Sequence, residues 1–231
     1  MRMRPRSRPR CPLPSPARER ADFWPMSPGP TFDRVYRELK GRLMTAEFAP
    51  GEHLEPVALG EKLHASATPV RDALQRLAGE RLVDAPLHEG FRTPAPTEPD
   101  LRDLLEWSAK LVDLALRRVA PAAVATSDNA PFATPHAPES ADEIFLAIVR
   151  TTGSDEHVAA VAGLFDRLAA LRTVEHLVFD DVAEEYAELH LTFASGNLVE
   201  LRRAVAAYHR RRQRAAPDLL AALRRETGRR R

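Results

Sequence analysis

The amino-acid sequence predicts a mainly α-helical chain in two parts, three short helices with a small hairpin followed by an all-α domain. Three observations carry that expectation. Apolar residues recur at spacings of three and four through most of the chain after residue 30, which is the period of a helix with one buried face. The period breaks at residues 84–97, where Pro86, Gly90, Pro94 and Pro96 cluster around a short extended stretch. A Pro/Ala-rich, low-complexity run at 120–140 then interrupts the helical pattern a second time. With 231 residues, 44% of them hydrophobic, the chain can bury one large core or two small ones.

In chain order, residues 1–30 hold eight Pro and seven Arg against two acids. Such a segment buries too little apolar surface to order itself, so it reads as a disordered tail, with a basic arm for nucleic-acid phosphates as the sharper alternative. "FDRVYRELKGRLMTAEF" places Val35, Leu39, Leu43 and Met44 on one helical face, with Thr31 or Asp33 as cap. Pro50-Gly51 is turn chemistry. "EPVALGEKLH" reads as a short second helix with Pro56 in its first turn and Leu59 and Leu63 inward. "ASA" is a tight turn, and "TPVRDALQRLAGERLV" a third helix with Val70, Leu74 and Leu77 as its apolar stripe and Arg71, Gln75 and Arg76 outside it. "VDAPLHEGFRTPAP" is expected to form two short strands around a turn.

From Pro99 the helical period returns, with Leu101, Leu104, Leu105, Leu111 and Leu114 on a broad face. Past the 120–140 loop, "ADEIFLAIVRTT" and "EHVAAVAGLFDRLAALRTVEHLV" resume it. Val158, Val161, Leu164, Phe165, Leu168 and Leu171 give the clearest stripe in the chain. Gly196 marks a helix stop before the last helical stretch. Three segments are therefore expected: a tail over 1–30, a small mixed domain over 31–97, and a helical domain over 98–231. The basic runs "HRRRQR" at 209–214 and "GRRR" at the end read as solvated surface, and His157 and His176 show no partner pattern.

Composition narrows the function classes. The net charge is +1, and 31 of the 34 basic residues are Arg, the other three being Lys40, Lys62 and Lys110. The lone Cys11 rules out an intramolecular disulfide and a cysteine-based metal site, and is in keeping with a reducing cytoplasm. No apolar run reaches the length of a membrane span. No glycine-rich phosphate loop, nucleophile motif or Glu-x-x-His pair points to an enzyme, and no catalytic residue is assigned.

The order helix, helix, turn, helix, hairpin suits a DNA reader. A helix-turn-helix inserts its second helix into the major groove, first turn foremost. That turn must be slim and offer N–H groups and small hydroxyls to phosphates, which Ser66, Ala67 and Thr68 satisfy ahead of Pro69. Arg71 follows one turn in and can reach a guanine edge or a phosphate, with Gln75 and Arg76 beyond it. A hairpin carrying Gly90 and Arg92 is a plausible wing. Residues 31–97 nevertheless hold nine basic and ten acidic side chains. Affinity must therefore come from where the charges sit, or from doubling by dimerisation. The alternative is a structural helix pair with a solvated Arg face.

These residues, "FDRVYRELKGRLMTAEFAPGEHLEPVALGEKLHASATPVRDALQRLAGERLVDAPLHEGFRTPAPTEPDLRDLL", resemble the winged helix-turn-helix of GntR-family bacterial transcription regulators. The "APGEHL", "TPVRDALQRLAGERLV" and "GFRTPAPTEPDLRDL" pieces look like the FadR-type (FCD) branch. The resemblance implies a cytoplasmic homodimer on a pseudo-palindromic double-stranded DNA operator, with a C-terminal antiparallel all-α bundle of six or seven helices that senses a small-molecule effector, most commonly as a repressor. Thr68, Pro69, Arg71, Gly90 and Arg92 match its pattern. Two positions depart from it: Ala67 stands where the family usually has Arg, and His64 where it usually has Gly.

Members of that branch often hold a divalent metal, zinc or similar, through an Asp and three His in the bundle core. Asp142 matches the Asp, but Leu146, Tyr186 and Tyr208 stand at the His positions, with His209 adjacent, and Ser108 stands at a position that is often Arg. Asp142 is thus the sole matching ligand, and no metal site is assigned in the bundle. What the resemblance leaves is a pocket rebuilt for an organic ligand around Ser108, Asp142, Tyr186, His190 and Tyr208, or a ligand-blind domain that serves mainly to dimerise. An enzyme built on the helical domain is the remote alternative.

Overall fold

The computed structural model describes residues 30–118 and 140–229. The Arg/Pro-rich tail and nearly all of the expected 120–140 loop lie outside the described residues. Among the described residues nine α-helices follow in order: α1 (Pro30–Met44), α2 (Pro56–Leu63), α3 (Ala67–Gly79), α4 (Glu98–Arg118), α5 (Ala141–Arg150), α6 (Asp155–Arg172), α7 (Val182–Ala194), α8 (Leu198–Arg214) and α9 (Ala216–Arg229), with a 3₁₀ turn at Glu175–Leu177 after α6. The chain is mainly helical, as its periodicity predicts.

Two apolar cores organise these helices. The first joins Val35, Leu39 and Leu43 of α1 to Leu59 and Leu63 of α2, Val70, Leu74 and Leu77 of α3, and Phe91 beyond. The second fills the bundle of α4–α9 around Leu101, Leu105, Phe145, Leu168, Leu201 and Leu220. Within the bundle α4 runs along α8, and α5 packs on α6. The turns are local chemistry. Ser140 and Ser154 cap α5 and α6 with their hydroxyls, and the Asn197 carboxamide oxygen accepts from the amides of Val199 and Glu200 at the start of α8. Pro217 lacks the N–H needed to continue α8, and the chain restarts there as α9.

Three details differ from the sequence reading. Thr31 and Asp33 lie inside α1, which begins at Pro30, so neither caps it. Leu114 is 48% exposed, on the side of α4 that carries Trp107, and not on its buried face. The hairpin forms no strand among the described residues. It is a loop pinned by one antiparallel bridge, in which Asp84 and Arg92 exchange both backbone hydrogen bonds at 2.8 Å. Pro86 on one side and Pro94 and Pro96 on the other remove the amides a longer ladder would need. The segment Gly51–Leu54 pairs with Phe91 and Thr93 from the other edge.

The turn between α2 and α3 is three residues, His64 to Ser66. His64 adopts a left-handed backbone (φ 48°) and closes α2. The Ala65 amide donates to the Gly60 carbonyl at 2.9 Å, and a Cβ on Gly60 would meet the Ala65 carbonyl oxygen at 2.6 Å. Gly60→Ala is therefore expected to lower stability by about 1–3 kcal/mol, because backbone cannot yield as a flexible side chain would. His64→Gly is expected to raise it by about 1 kcal/mol, since glycine adopts the left-handed region without strain. Denaturant melts of the two variants check both signs.

Candidate functional site

α3 is anchored on one side and open on the other. Val70, Ala73, Leu74 and Leu77 are buried, while Ser66, Thr68, Arg71, Asp72 and Gln75 are exposed. Ser66 stands at the N-cap in an extended conformation and makes no side-chain capping bond, so its hydroxyl is not spent on the helix. The first-turn amides lack intrahelical partners and sit at the positive end of the helix dipole, with Pro69 contributing no amide. Arg71 and Gln75 form no hydrogen bond or ion pair with other described residues. Asp72 shares this face, where a carboxylate can accept from a cytosine amino group but repels phosphate.

Arg76 is placed differently. Its guanidinium lies 4.1 Å over the Tyr36 ring and donates to Glu80 at 3.3 Å. Tyr36 donates to Glu80 at 2.7 Å, and the Lys40 ammonium reaches the same carboxylate at 3.2 Å. These contacts hold Glu80 below the usual carboxylate range against the opposing effect of its partial burial. Arg76 thus ties the end of α3 to α1, and its charge is already engaged inside the fold.

The wing brings Gly90 and Arg92 beside the α2 approach. Gly90 has φ +77°, and a Cβ there would lie 3.1 Å from His53 Nε2. Arg92 is held in register by its bridge to Asp84, and its guanidinium donates to Glu89 at 2.5 Å. A phosphate would have to compete with that carboxylate.

The bundle core assembles most of the residues expected there, but around charges that periodicity alone had not singled out. Asp142 on α5 accepts from Arg172 Nη2 at 2.7 Å and from its Nε at 3.4 Å. The same arginine donates to Glu175 at 2.8 Å and to the Tyr208 hydroxyl. Glu175, only 2% exposed, also accepts from Arg212 at 2.8 and 3.2 Å and from the Tyr186 hydroxyl at 3.0 Å. Arg212 is fully buried, lies 3.4 Å over the Tyr208 ring, and pairs with Glu185 at 2.6 Å. Burial pushes the Glu175 carboxyl up, but Arg172 and Arg212 overcome it and hold it lowered. Ser108 joins from α4, bonded to His209 at 3.1 Å. His190 lies half-buried one turn past Tyr186 on α7.

This arrangement does not fit a divalent cation. The one carboxylate that matches a metal-binding pattern, Asp142, already faces a guanidinium, and Leu146, Tyr186 and Tyr208 offer no imidazole. Among the described residues no group of three or more His, Cys, Asp or Glu side chains could hold a metal.

The run at 209–214 is not uniformly solvated surface, because His209 and Arg212 are buried. The signal was present in the spacing. Leu201, Val205, Tyr208 and Arg212 continue one stripe of α8, and Arg172 extends the Leu168–Leu171 edge of α6. His157 also has a partner, the Leu111 carbonyl at 2.9 Å. The ring of His209 uses both nitrogens. Nδ1 must carry the hydrogen donated to the Val205 carbonyl at 2.8 Å, which leaves Nε2 to accept from Ser108. Burial pushes its pKa down to about 4.

Residues 31–92 match the family described as "Bacterial regulatory proteins, gntR family". Over 87 residues the chain is 33% identical to the HTH-type transcriptional repressor GlaR of Escherichia coli (strain K12), covering 36% of this chain and 40% of that one. It is 28% identical over 98 residues to the uncharacterized HTH-type transcriptional regulator YdhC of Bacillus subtilis (strain 168), covering 42% and 44%. The matched span is therefore less than half the length of these curated relatives. Two solved structures share the fold over 83% of this chain. One is described as a transcriptional regulator GntR from Rhodococcus sp. RHA1 (TM-score 0.60, 19% identity, 98% of that chain). The other is E. coli McbR/YncC (TM-score 0.57, 18% identity, 99% of that chain).

Two predictions follow from the core. Glu175→Gln leaves two buried guanidiniums short of their shared anion and is expected to cost about 3–5 kcal/mol, read by thermal or denaturant unfolding. For His209 the folded pKa lies below the unfolded value. Its contribution is then complete above pH 6.5 and is lost as pH falls toward 4, because the unfolded state binds the proton first. The drop from 6.5 to about 4 corresponds to about 3 kcal/mol over that window. A melting series from pH 7 to pH 4 should show the slope in the native protein and a flatter one in His209→Gln.

Proposed function

We propose, on the premise that residues 31–92 are a gntR-family domain, that the chain is a DNA-binding transcriptional regulator working in the cytoplasm. The observation that carries this reading is the open face of α3. A slim first turn with free amides and the Ser66 and Thr68 hydroxyls is followed by Arg71 and Gln75, both without internal partners among the described residues. Phosphates at the first turn set the register, and the two longer side chains read base edges, with Arg71 suited to guanine and Gln75 to adenine. Arg92 of the wing would add a phosphate contact by exchanging Glu89 for the backbone anion. Arg76 acts through its hold on Glu80 and Tyr36, orienting α3 on α1. No described helix is long and apolar enough to cross a membrane.

The finer reading is a FadR-type homodimer on a pseudo-palindromic operator, acting as a ligand-responsive repressor, with the division into 1–30, 31–97 and 98–231 proposed above. Dimerisation would double a basic surface that one near-neutral unit lacks. Trp107 and Leu114, 52% and 48% exposed and two turns apart on α4, offer an apolar strip for it. A second reading, a dimer that binds DNA whether or not a ligand is present, is favoured by one observation. Asp142, Tyr186 and Tyr208 already satisfy one another through Arg172 and Glu175. The relatives are regulators, and an enzyme on the helical domain finds no support in them.

Fluorescence anisotropy of the full chain on the DNA upstream of its own gene, against a scrambled duplex and at two salt concentrations, tests the reading. Sequence-selective binding is expected, and Arg71→Ala should weaken it about 5- to 150-fold, corresponding to about 1–3 kcal/mol for a base-edge contact. Weak binding that ignores sequence and survives Arg71→Ala overturns it.

A further inference from the structure

A cavity of about 130 Å³ lies outside the bundle core, at the seam between the two units. Leu43 and Phe48 come to it from α1 and the loop after it, Leu82 from the end of α3, and Leu104, Leu171 and Leu223 from α4, α6 and α9. Its volume is close to that of a dry cavity of about 150 Å³ that holds a benzene ring. Three charged side chains also line it: Arg81, Asp166 and Arg167. Asp166 is taken, since Lys40 Nζ lies 2.6 Å from its carboxylate. Neither Arg81 nor Arg167 forms an ion pair with another described residue. Arg167 is pushed below its ordinary value first by burial and then by Arg81 itself, with Asp103 a weaker counterweight. Two like charges thus stand at the wall of this apolar space, Arg81 exposed to solvent and Arg167 partly buried.

Arg81 sits there at a conformational cost. It follows α3 with φ +62°, in the left-handed position where glycine is the unstrained residue. Its amide and that of Leu82 close the helix onto Ala78 and Leu77 at 3.0 and 2.9 Å. A long cation at a position that favours glycine stores strain, and stored strain is characteristic of ligand sites.

We propose that this seam cavity binds a small monocarboxylate with a compact, aromatic-sized apolar body, its carboxylate answering Arg81 and Arg167 and its body lying among Leu43, Phe48, Leu104 and Leu171. Such a ligand relieves the like-charge pair and fills space that belongs to both units at once. Its effect on DNA rests on the function proposed above. The route is short: Asp166 at the cavity wall holds Lys40, and Lys40 holds Glu80 at the end of α3. A ligand that shifts α6 against α1 therefore bears on the helix that presents Arg71.

The test uses the full chain and benzoate as probe, titrated by isothermal calorimetry, with benzamide as the uncharged counterpart. Saturable benzoate binding in the millimolar range or tighter is expected, at least tenfold stronger than benzamide. Arg167→Gln and Arg81→Gly should each weaken it at least tenfold. Arg81→Gly keeps the experiment decisive, because it relieves the left-handed backbone and should melt at or above the native temperature. Absence of saturable binding, or binding equal for benzamide and for both variants, overturns the site. In parallel, benzoate should change the DNA dissociation constant by the same factor by which DNA changes that of benzoate. A chain that binds benzoate but no DNA would refute the regulator reading and leave the site standing, whereas selective DNA binding without benzoate binding would do the reverse.

Discussion

The helical bundle is organised around one carboxylate. Glu175, on a single 3₁₀ turn, accepts from Arg172, Arg212 and Tyr186, and through Arg172 it reaches Asp142. Four helices and the turn thereby share one buried network in which two guanidiniums face Asp142 and Glu175. Buried ion pairs add little net stability over an apolar core of the same shape, but removing one partner is costly. Such a network therefore specifies an arrangement. α5, α6, α7 and α8 must meet in the register that satisfies every member, and the apolar stripes around it supply the driving force.

That same network decides what the bundle can bind. A core that presents Asp142 with imidazoles attracts a metal. A core that presents Asp142 with Arg172 and Tyr208 has supplied its own cation. The residues that would line an effector site are thus present and largely occupied with one another. His209 shows the same closure on a smaller scale, as each ring nitrogen has a partner and burial favours the neutral form.

The winged unit follows a different economy. Its apolar core is small, its net charge near zero, and its end of α3 is fixed by a cluster in which Tyr36, Lys40 and Arg76 converge on Glu80. Lys40 also reaches Asp166 in the bundle, so the joint between the two units and the anchoring of α3 share one ammonium. Burial lowers the Lys40 pKa and its two carboxylates raise it by more, so the charged ammonium is the favoured form. The open half of α3, from Ser66 to Gln75, is what remains free to meet another molecule.

Much of this was legible in the amino-acid sequence by itself. Apolar spacing placed α1 to α6, Pro56 and Gly196 marked boundaries, and the outward positions of Ser66, Thr68, Arg71 and Gln75 follow from the stripe formed by Val70, Leu74 and Leu77, whereas the break that divides the last helical stretch into α8 and α9 was not read from the spacing. Local periodicity determines these because a helix face is set within a few residues. Tertiary structure alone decided the rest. Whether Arg212 in a run of arginines is solvated or buried, and whether Asp142 meets a metal or a guanidinium, depend on partners 37 and 30 residues away, Glu175 and Arg172. His64 belongs to both accounts: its departure from glycine is visible in the sequence, but its left-handed backbone is a fact of the turn. Period specifies which face of a helix turns inward, and only packing specifies which charge it meets there.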